Sequence, residues 1–309
     1  MDYILRTNPN YLRQKSLGNN YADWLAPDQK SPRDLVATAY WALLARQMRE
    51  MSTALGLTED AEKYRQLYEQ IASAYRKEYV HEDGSVAGDT QTAYLLTLYA
   101  GLAPKELEAN LTGRLVKDIE AHENHLTTGF LGTPFLLFVL EEQGRADVAY
   151  RLLLNETYPS WGYMVKKGAT TWWERWNGDT GDPSMNSYNH YAFGSVMAWV
   201  YRRVAGIDTD ATGAGFHHLV IRPHVDASLG NVHAEYDSAY GLVTTDWTRG
   251  ADGGLQLSVH TPANTTATVY LPGAASSMVT QDGQALNARR EGDAFVTSIG
   301  SGTYKFAVQ

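Results

Sequence analysis

Asp208-Thr209-Asp210-Ala211-Thr212-Gly213-Ala214-Gly215 separates two kinds of sequence, and that separation decides the fold. The stretch carries no apolar periodicity, and its Thr, Gly, Ala and Asp residues read as a linker. Upstream, from Asp34 to about Gly206, apolar residues recur at helical spacing. Downstream they alternate in short runs broken by turns. The expected architecture is mainly α with a separate all-β domain, residues 1–207 forming the helical part and 208–309 an antiparallel β-sandwich.

The helical half shows its punctuation clearly. Ser31-Pro32-Arg33-Asp34 supplies an N-cap, a proline for the first helical position and an acid for the first turn. Val36, Tyr40, Leu44, Met48, Met51 and Leu55 then form a stripe that ends at Gly56. Thr58 caps a second helix with Ala61, Tyr64, Leu67, Tyr68, Ile71 and Tyr75 on one face. Further helical runs follow Asp89, Pro104, Gly132 and Arg145, and a last one covers Tyr188 to Ala205, about seven in all. In the second half, alternating runs occur at 218–221, 231–236, 242–248, 255–260, 267–271 and 304–308. Asp252-Gly253-Gly254 and Asp282-Gly283 are hairpin-type turns. This sandwich is expected to support the helical part and to contribute no active-site residue.

Composition narrows the function. A chain of 309 residues with 44% hydrophobic and 20% charged residues suggests about two globular domains. A net charge of −9 without a basic run argues against nucleic acid and anionic membranes as partners. The absence of cysteine excludes disulfides, thiolate metal sites and a cysteine nucleophile. No apolar segment is long enough to span a bilayer, and Met1 onward shows no signal pattern, so a cytoplasmic location is expected. The skew is aromatic, with 20 tyrosines and eight tryptophans. It suits a carbohydrate-handling surface, and an aromatic core produces the same count.

Within this background, Thr170-Thr171-Trp172-Trp173-Glu174-Arg175-Trp176 sets one carboxylate among three tryptophans. Indole faces match the C–H faces of sugars, and an apolar wall tunes a carboxyl's proton affinity, which glycoside hydrolysis uses for acid, base or nucleophile work. The plainer alternative is a core aromatic cluster with Glu174 in an ion pair.

Several strings, in order, carry a family resemblance. They are Asp23-Trp24-Leu25-Ala26-Pro27, Val86 to Tyr94, His125 to Pro134, Tyr158-Pro159-Ser160-Trp161-Gly162-Tyr163, the heptapeptide, Met185 to Gly194 and Ile221-Arg222-Pro223. Together they resemble the C-terminal half of a bacterial α-L-rhamnosidase of glycoside hydrolase family 78. The resemblance implies a partial (α/α)6 toroid followed by the sandwich, an inverting mechanism, and rhamnose-containing glycosides or oligosaccharides as substrates. It implies that Glu174 is the general base, with Trp24, His190, Asp23 and Trp161 as substrate-binding candidates. No cofactor and no metal are implied.

The family also carries an upstream cluster of the form Asp-x-x-x-Asp-Glu-Arg-x-Gly-Trp that supplies the general acid, and no string here matches it. The helix count falls short of twelve as well. A truncated or fragmentary chain is therefore expected, poor in activity or inactive. Its open helix faces favour self-association as a homo-oligomer. A non-catalytic, weakly sugar-binding remnant is the alternative to an enzyme. Among single residues, His190 and Trp24 read by themselves as structural groups and take their roles from the strings around them. Asp179 and Asp182 lack the spacing of a calcium loop and read as a solvated turn. Of Trp161, Trp172, Trp173 and Trp176, at least two are expected in the core.

Overall fold

The computed structural model describes residues 1–182, 184, 187–210 and 213–309. Met185 and Asn186 of the string ending at Gly194, and Ala211 and Thr212 of the expected linker, lie outside the described residues. The chain divides into two compact units, Met1–Ser195 and Val196–Gln309.

In the first unit a short α1 (Asp2–Thr7) precedes α2 (Arg33–Ala54) and α3 (Thr58–Tyr79). There follow α4 (Gln91–Tyr99), α5 (Glu108–Ala121), α6 (Thr133–Glu142), α7 (Ala146–Leu153), α8 (Trp161–Lys166) and α9 (Tyr191–Gly194). Successive helices pack as pairs, α2 with α3, α4 with α5 and α6 with α7, while α2, α4, α6 and α9 touch in series. The result is an inner row of α2, α4, α6 and α9 and an outer row of α3, α5 and α7, the two-layered plan of a partial α/α toroid. Burial follows the rows. Every residue of α4 from Gln91 to Thr97 is buried, as suits a helix enclosed on all sides. The outer helices bury single stripes, Leu67, Ile71 and Tyr75 on α3 and Leu111, Leu115 and Ile119 on α5.

The structure corrects three expectations for this unit. Neither Ser31 nor Thr58 caps its helix: Pro32 and Leu57 are the N-cap residues of α2 and α3, neither with a side-chain cap bond, while the Ser31 hydroxyl lies 2.7 Å from that of Thr90. The buried face of α2 is Leu35, Ala39, Trp41, Ala42 and Leu43 around Val36, whereas Leu44 is 45% and Met51 53% exposed. This inner helix is apolar on more than one side, so periodicity alone does not select its core face. The helix expected over Tyr188–Ala205 is divided. It starts only at Tyr191, because residues 187–190 are occupied in pairing with 171–174. α10 (Val196–Trp199) and the π-helical turn Val200–Val204 belong to the second unit.

The second unit has two sheets. One runs in the order β1 (Ile207–Thr209), β2 (His218–Ile221), β6 (Thr266–Pro272), β10 (Ala294–Ile299) and β9 (Arg289–Glu291). The other runs β3 (Asn231–Ser238), β4 (Gly241–Arg249), β5 (Leu255–Thr261), β11 (Gly302–Val308), β7 (Val279–Gln281) and β8 (Gln284–Ala285). Alternation buries Leu255, Leu257 and Val259 of β5 and Ala267, Val269 and Leu271 of β6. The pairs are antiparallel except β2 with β6, which is parallel. Three strands of the other sheet intervene in sequence between these two, which gives the chain the long crossover that a parallel pair requires. The stretch expected as a linker is partly structured. Asp208 sits in β1, 8% exposed, and accepts bonds from Arg202 Nε and Arg203 Nη1, each at 2.9 Å. Among the described residues no helix is long and apolar enough to cross a membrane.

The inner row sets the stability of the helical unit. Leu95 on α4 is fully buried, and Leu95→Ala is expected to cost about 2–5 kcal/mol. The Thr97 hydroxyl donates to the Ala93 carbonyl at 2.7 Å, so the bond between Thr97 and Tyr75, at 2.8 Å, has Tyr75 as donor. Tyr75→Phe should therefore cost about 1 kcal/mol. Urea unfolding followed by circular dichroism checks both values.

Candidate active site

The site is built on the loop that precedes α2. Ala22 and Leu25 adopt φ of 54° and 59°, a tight path that turns the Asp23 side chain inward and leaves Trp24 38% exposed. Asp23 is 6% exposed, and its two oxygens accept four hydrogen bonds. Oδ1 takes the N–H groups of Leu131 at 2.7 Å and Gly132 at 3.0 Å. Oδ2 takes the N–H of Gly129 at 2.7 Å and the Thr92 hydroxyl. Burial raises the Asp23 pKa above its ordinary value, against the opposing pull of these donors. With its acceptor sites filled by the chain, Asp23 has nothing left to offer a sugar. Its expected role as a substrate contact is corrected to a structural one.

The turn that Asp23 holds presents Phe130. The Phe130 N–H donates to the Trp24 carbonyl at 2.9 Å, and its ring lies 4.6 Å from that of His190. A cleft of about 720 Å³ opens here, walled by Trp24, Phe130, Tyr191, Tyr40 and Trp41, with Tyr21 edge-on to Trp24 at 5.1 Å. Arg13, Asn19 and Asn20 supply polar groups, and no Asp or Glu is among the described residues that line it.

His190 stands behind this wall. Its Nδ1 accepts the Ala192 N–H at 3.2 Å at the start of α9, and its ring stacks on Tyr191 at 5.3 Å and 18°. An accepting Nδ1 places the proton of the neutral ring on Nε2, which has no hydrogen-bond partner among the described residues and is therefore a ready donor.

Glu174 joins His190 through paired backbone. The Glu174 N–H donates to Ser187 O at 2.8 Å, the His190 N–H to Trp172 O at 2.8 Å, and the Thr171 hydroxyl to Tyr188 O. The half-buried Glu174 carboxylate accepts the Ser187 N–H on Oε2 at 2.9 Å and no bond on Oε1 among the described residues. The structure thus links Trp24, Phe130, His190, Trp172 and Glu174 by successive contacts. Trp24 lines the cleft itself, whereas His190 and Glu174 are absent from its lining.

The tryptophans separate into wall and core. Trp161, a substrate-binding candidate by sequence, is 2% exposed, donates from Nε1 to Phe193 O at 2.9 Å and meets Trp176 edge-on at 5.4 Å. It is a core residue, and its expected sugar contact is withdrawn. Trp173 and Trp176 are buried with it, Trp176 stacked on Phe193 at 3.9 Å. Asp179 accepts the Tyr163 hydroxyl at 3.0 Å and pairs with Lys167 at 3.4 Å. Three wall residues, Phe130, Tyr40 and Tyr191, are not legible as site residues from sequence. Phe130 lies within a matched string, Tyr191 lies beside His190, and Tyr40 reads only as part of the α2 stripe.

The layered helical pairs are those of a six-hairpin glycosidase domain. Residues 1–204 match the family model described as bacterial alpha-L-rhamnosidase 6 hairpin glycosidase domain, and residues 206–286 match the bacterial alpha-L-rhamnosidase C-terminal domain. The chain belongs to the bacterial α-L-rhamnosidase family. An alpha-L-rhamnosidase of Streptomyces avermitilis is 44% identical over 96% of this chain, and one of Alteromonas sp. 36% identical over 93%. The crystal structure of the Streptomyces avermitilis enzyme complexed with L-rhamnose superposes over 100% of this chain with a TM-score of 0.91 at 42% identity. The structure from Dictyoglumus thermophilum superposes over 100% of it with a TM-score of 0.89 at 29% identity. This chain spans 29% and 32% of the two curated relatives and 30% and 35% of the two structures.

Trp161→Ala should lower the stability of the helical unit by about 3–5 kcal/mol, as a buried aromatic truncation does. Sugar affinity of the folded fraction should be unchanged, which a denaturant series combined with L-rhamnose titration measures.

Proposed function

We propose that this chain carries the base-side part of a site that hydrolyses terminal α-L-rhamnosides with inversion. Glu174 acts as general base: its Oε1, unengaged among the described residues, removes a proton from water as that water attacks the anomeric carbon. Trp24 offers its face to the C–H groups of the sugar, and the His190 Nε2–H donates to a hydroxyl. An inverting site holds its acid and base carboxyls roughly 6.5–9.5 Å apart so that water fits between sugar and base. The observation that supports the reading is the pairing of Thr171–Glu174 with Ser187–His190, which sets on adjoining backbone a carboxylate oxygen and an imidazole N–H that have no partner among the described residues.

The general acid is the missing member. The cleft lining contains no carboxylate among the described residues, and no string matches the family's acidic cluster. We assign the acid to the portion of the relatives that this chain does not span. The same observation favours a second reading, a sugar-binding remnant without turnover.

Two substrates separate these readings. An activated aryl rhamnoside releases a phenolate unaided, whereas a flavonoid rhamnoglycoside needs a proton on its leaving oxygen. Loss of acid assistance, typically worth ~10²–10⁴-fold, should confine turnover by the purified chain to the first substrate. Rapid hydrolysis of both would show an acid within this chain. L-rhamnose binding without turnover of either would establish the remnant. Glu174→Gln retains an acceptor for the Ser187 N–H. It should lower turnover of the aryl rhamnoside by ~10²-fold or more and leave L-rhamnose affinity within about twofold, since a base acts chiefly in the transition state.

A further inference from the structure

We propose that Asp23 is a positioning residue of the sugar site, acting through the turn from Gly129 to Gly132 on Trp24 and His190. The inference rests on the rhamnose-site reading above for its functional meaning, and on geometry for its mechanism.

Four successive N–H groups of that turn end on the loop before α2. Those of Gly129, Leu131 and Gly132 reach the Asp23 carboxylate at 2.7, 2.7 and 3.0 Å, and that of Phe130 reaches the Trp24 carbonyl at 2.9 Å. From the other side the Tyr40 hydroxyl on α2 donates to the Leu131 carbonyl at 2.8 Å. The turn therefore has no backbone N–H with which to find a second arrangement. The glycines record how closely the two segments meet. A Cβ at Gly129 would stand 2.2 Å from Trp24 O and 2.7 Å from Asp23 O, and one at Gly132 would stand 2.8 Å from the Thr92 hydroxyl.

The Phe130 ring leaves this fixed turn toward the site. It packs 4.6 Å from the His190 imidazole and meets Phe193 edge-on at 5.5 Å. Tyr191 stacks on the same imidazole at 5.3 Å. A shift of the turn thus moves two candidate sugar contacts together: Trp24 through its carbonyl, His190 through the ring that flanks it. Asp23 is 6% exposed and both its oxygens are engaged by the chain, so its influence passes through these neighbours. Misplacing a binding group by about 1 Å can cost on the order of 10²-fold, which is the scale on which such a residue acts.

The test compares Asp23→Asn with Ile71→Ala, a core change on α3 chosen for a matched loss of melting temperature. The readouts are the indole ¹H–¹⁵N resonance of Trp24, the imidazole Hε1 resonance of His190, and the Kd for L-rhamnose. The Asn amide turns donors toward donors, so Asp23→Asn should displace both resonances and raise the Kd roughly tenfold or more. Ile71→Ala should leave all three in place. Thr92→Val removes one donor and spares the backbone three, and should shift the same resonances less; it decides the matter if Asp23→Asn does not fold. Unmoved resonances in both Asp23→Asn and Thr92→Val, or equal shifts in Ile71→Ala, would overturn the proposal. Failure of the unaltered protein to bind L-rhamnose would refute the sugar-site reading alone, because the two resonances still report positioning without ligand.

Discussion

A carboxylate taken out of water loses its hydration, and at Asp23 hydrogen bonds from the chain replace part of it, burial still holding the pKa above its ordinary value. Three of its donors are backbone groups of the turn that leads into α6, and the last of them, Gly132, is the N-cap residue of that helix. The fourth donor, Thr92, lies in the first turn of α4. One side chain therefore ties the loop before α2 to the beginnings of two inner helices. Its neighbours repeat the pattern: Gln29 Oε1 accepts the Gln91 N–H at 2.9 Å and the Thr127 hydroxyl at 2.7 Å, while Gln91 Oε1 accepts the Thr127 N–H at 2.9 Å. The loop ends of the inner row are joined by saturated polar contacts, and the aromatic wall stands on them.

This arrangement explains what each row of helices had to be. Outer helices meet water and carry one stripe, so their faces are readable: Leu67, Ile71 and Tyr75 of α3 share a face by spacing and are buried. Inner helices are enclosed and lose that asymmetry. α2 buries Leu35, Trp41 and Leu43 and still places Val36, Tyr40, Trp41 and Leu44 along the cleft, so a count of apolar positions selects the wrong stripe there. The change from helices to strands is legible for the same reason as α3, because each sheet buries one face and the alternation survives in β5 and β6. The parallel pair of β2 with β6 is not, since pairing direction depends on which sheet each intervening strand joins.

The site is legible in part. Trp24, His190 and Glu174 stand out from strings, and the structure links them through Phe130 and the pairing of 171–174 with 187–190. Asp23 and Trp161 lie in equally specific strings and prove structural. A string marks residues that a site requires without saying which touch the ligand and which hold those that do. That distinction is a matter of unfilled hydrogen-bonding capacity, and sequence does not show where a carboxylate's lone pairs or an indole N–H are engaged. The expected linker fails likewise: Asp208 is acidic and followed by small residues, yet Arg202 and Arg203 draw it into a strand.

Capacity is also the clearest guide to what the chain can do. At the loop ends of the inner row Asp23 is engaged with Thr92 and the turn before α6, and Gln29 and Gln91 with Thr127. Beside the wall, Glu174 Oε1 and His190 Nε2 are unengaged among the described residues. A carboxylate oxygen is an acceptor and a base, and a neutral imidazole N–H is a donor. The cleft lining adds Arg13, Asn19 and Asn20 to its aromatic wall, and the side-chain nitrogens Arg13 Nε and Trp41 Nε1 are buried donors without a partner among the described residues. The turn that carries Phe130 is fixed by backbone donors, whereas among the described residues the Glu174 carboxylate is held by the Ser187 N–H alone, so the wall is more constrained than the carboxylate.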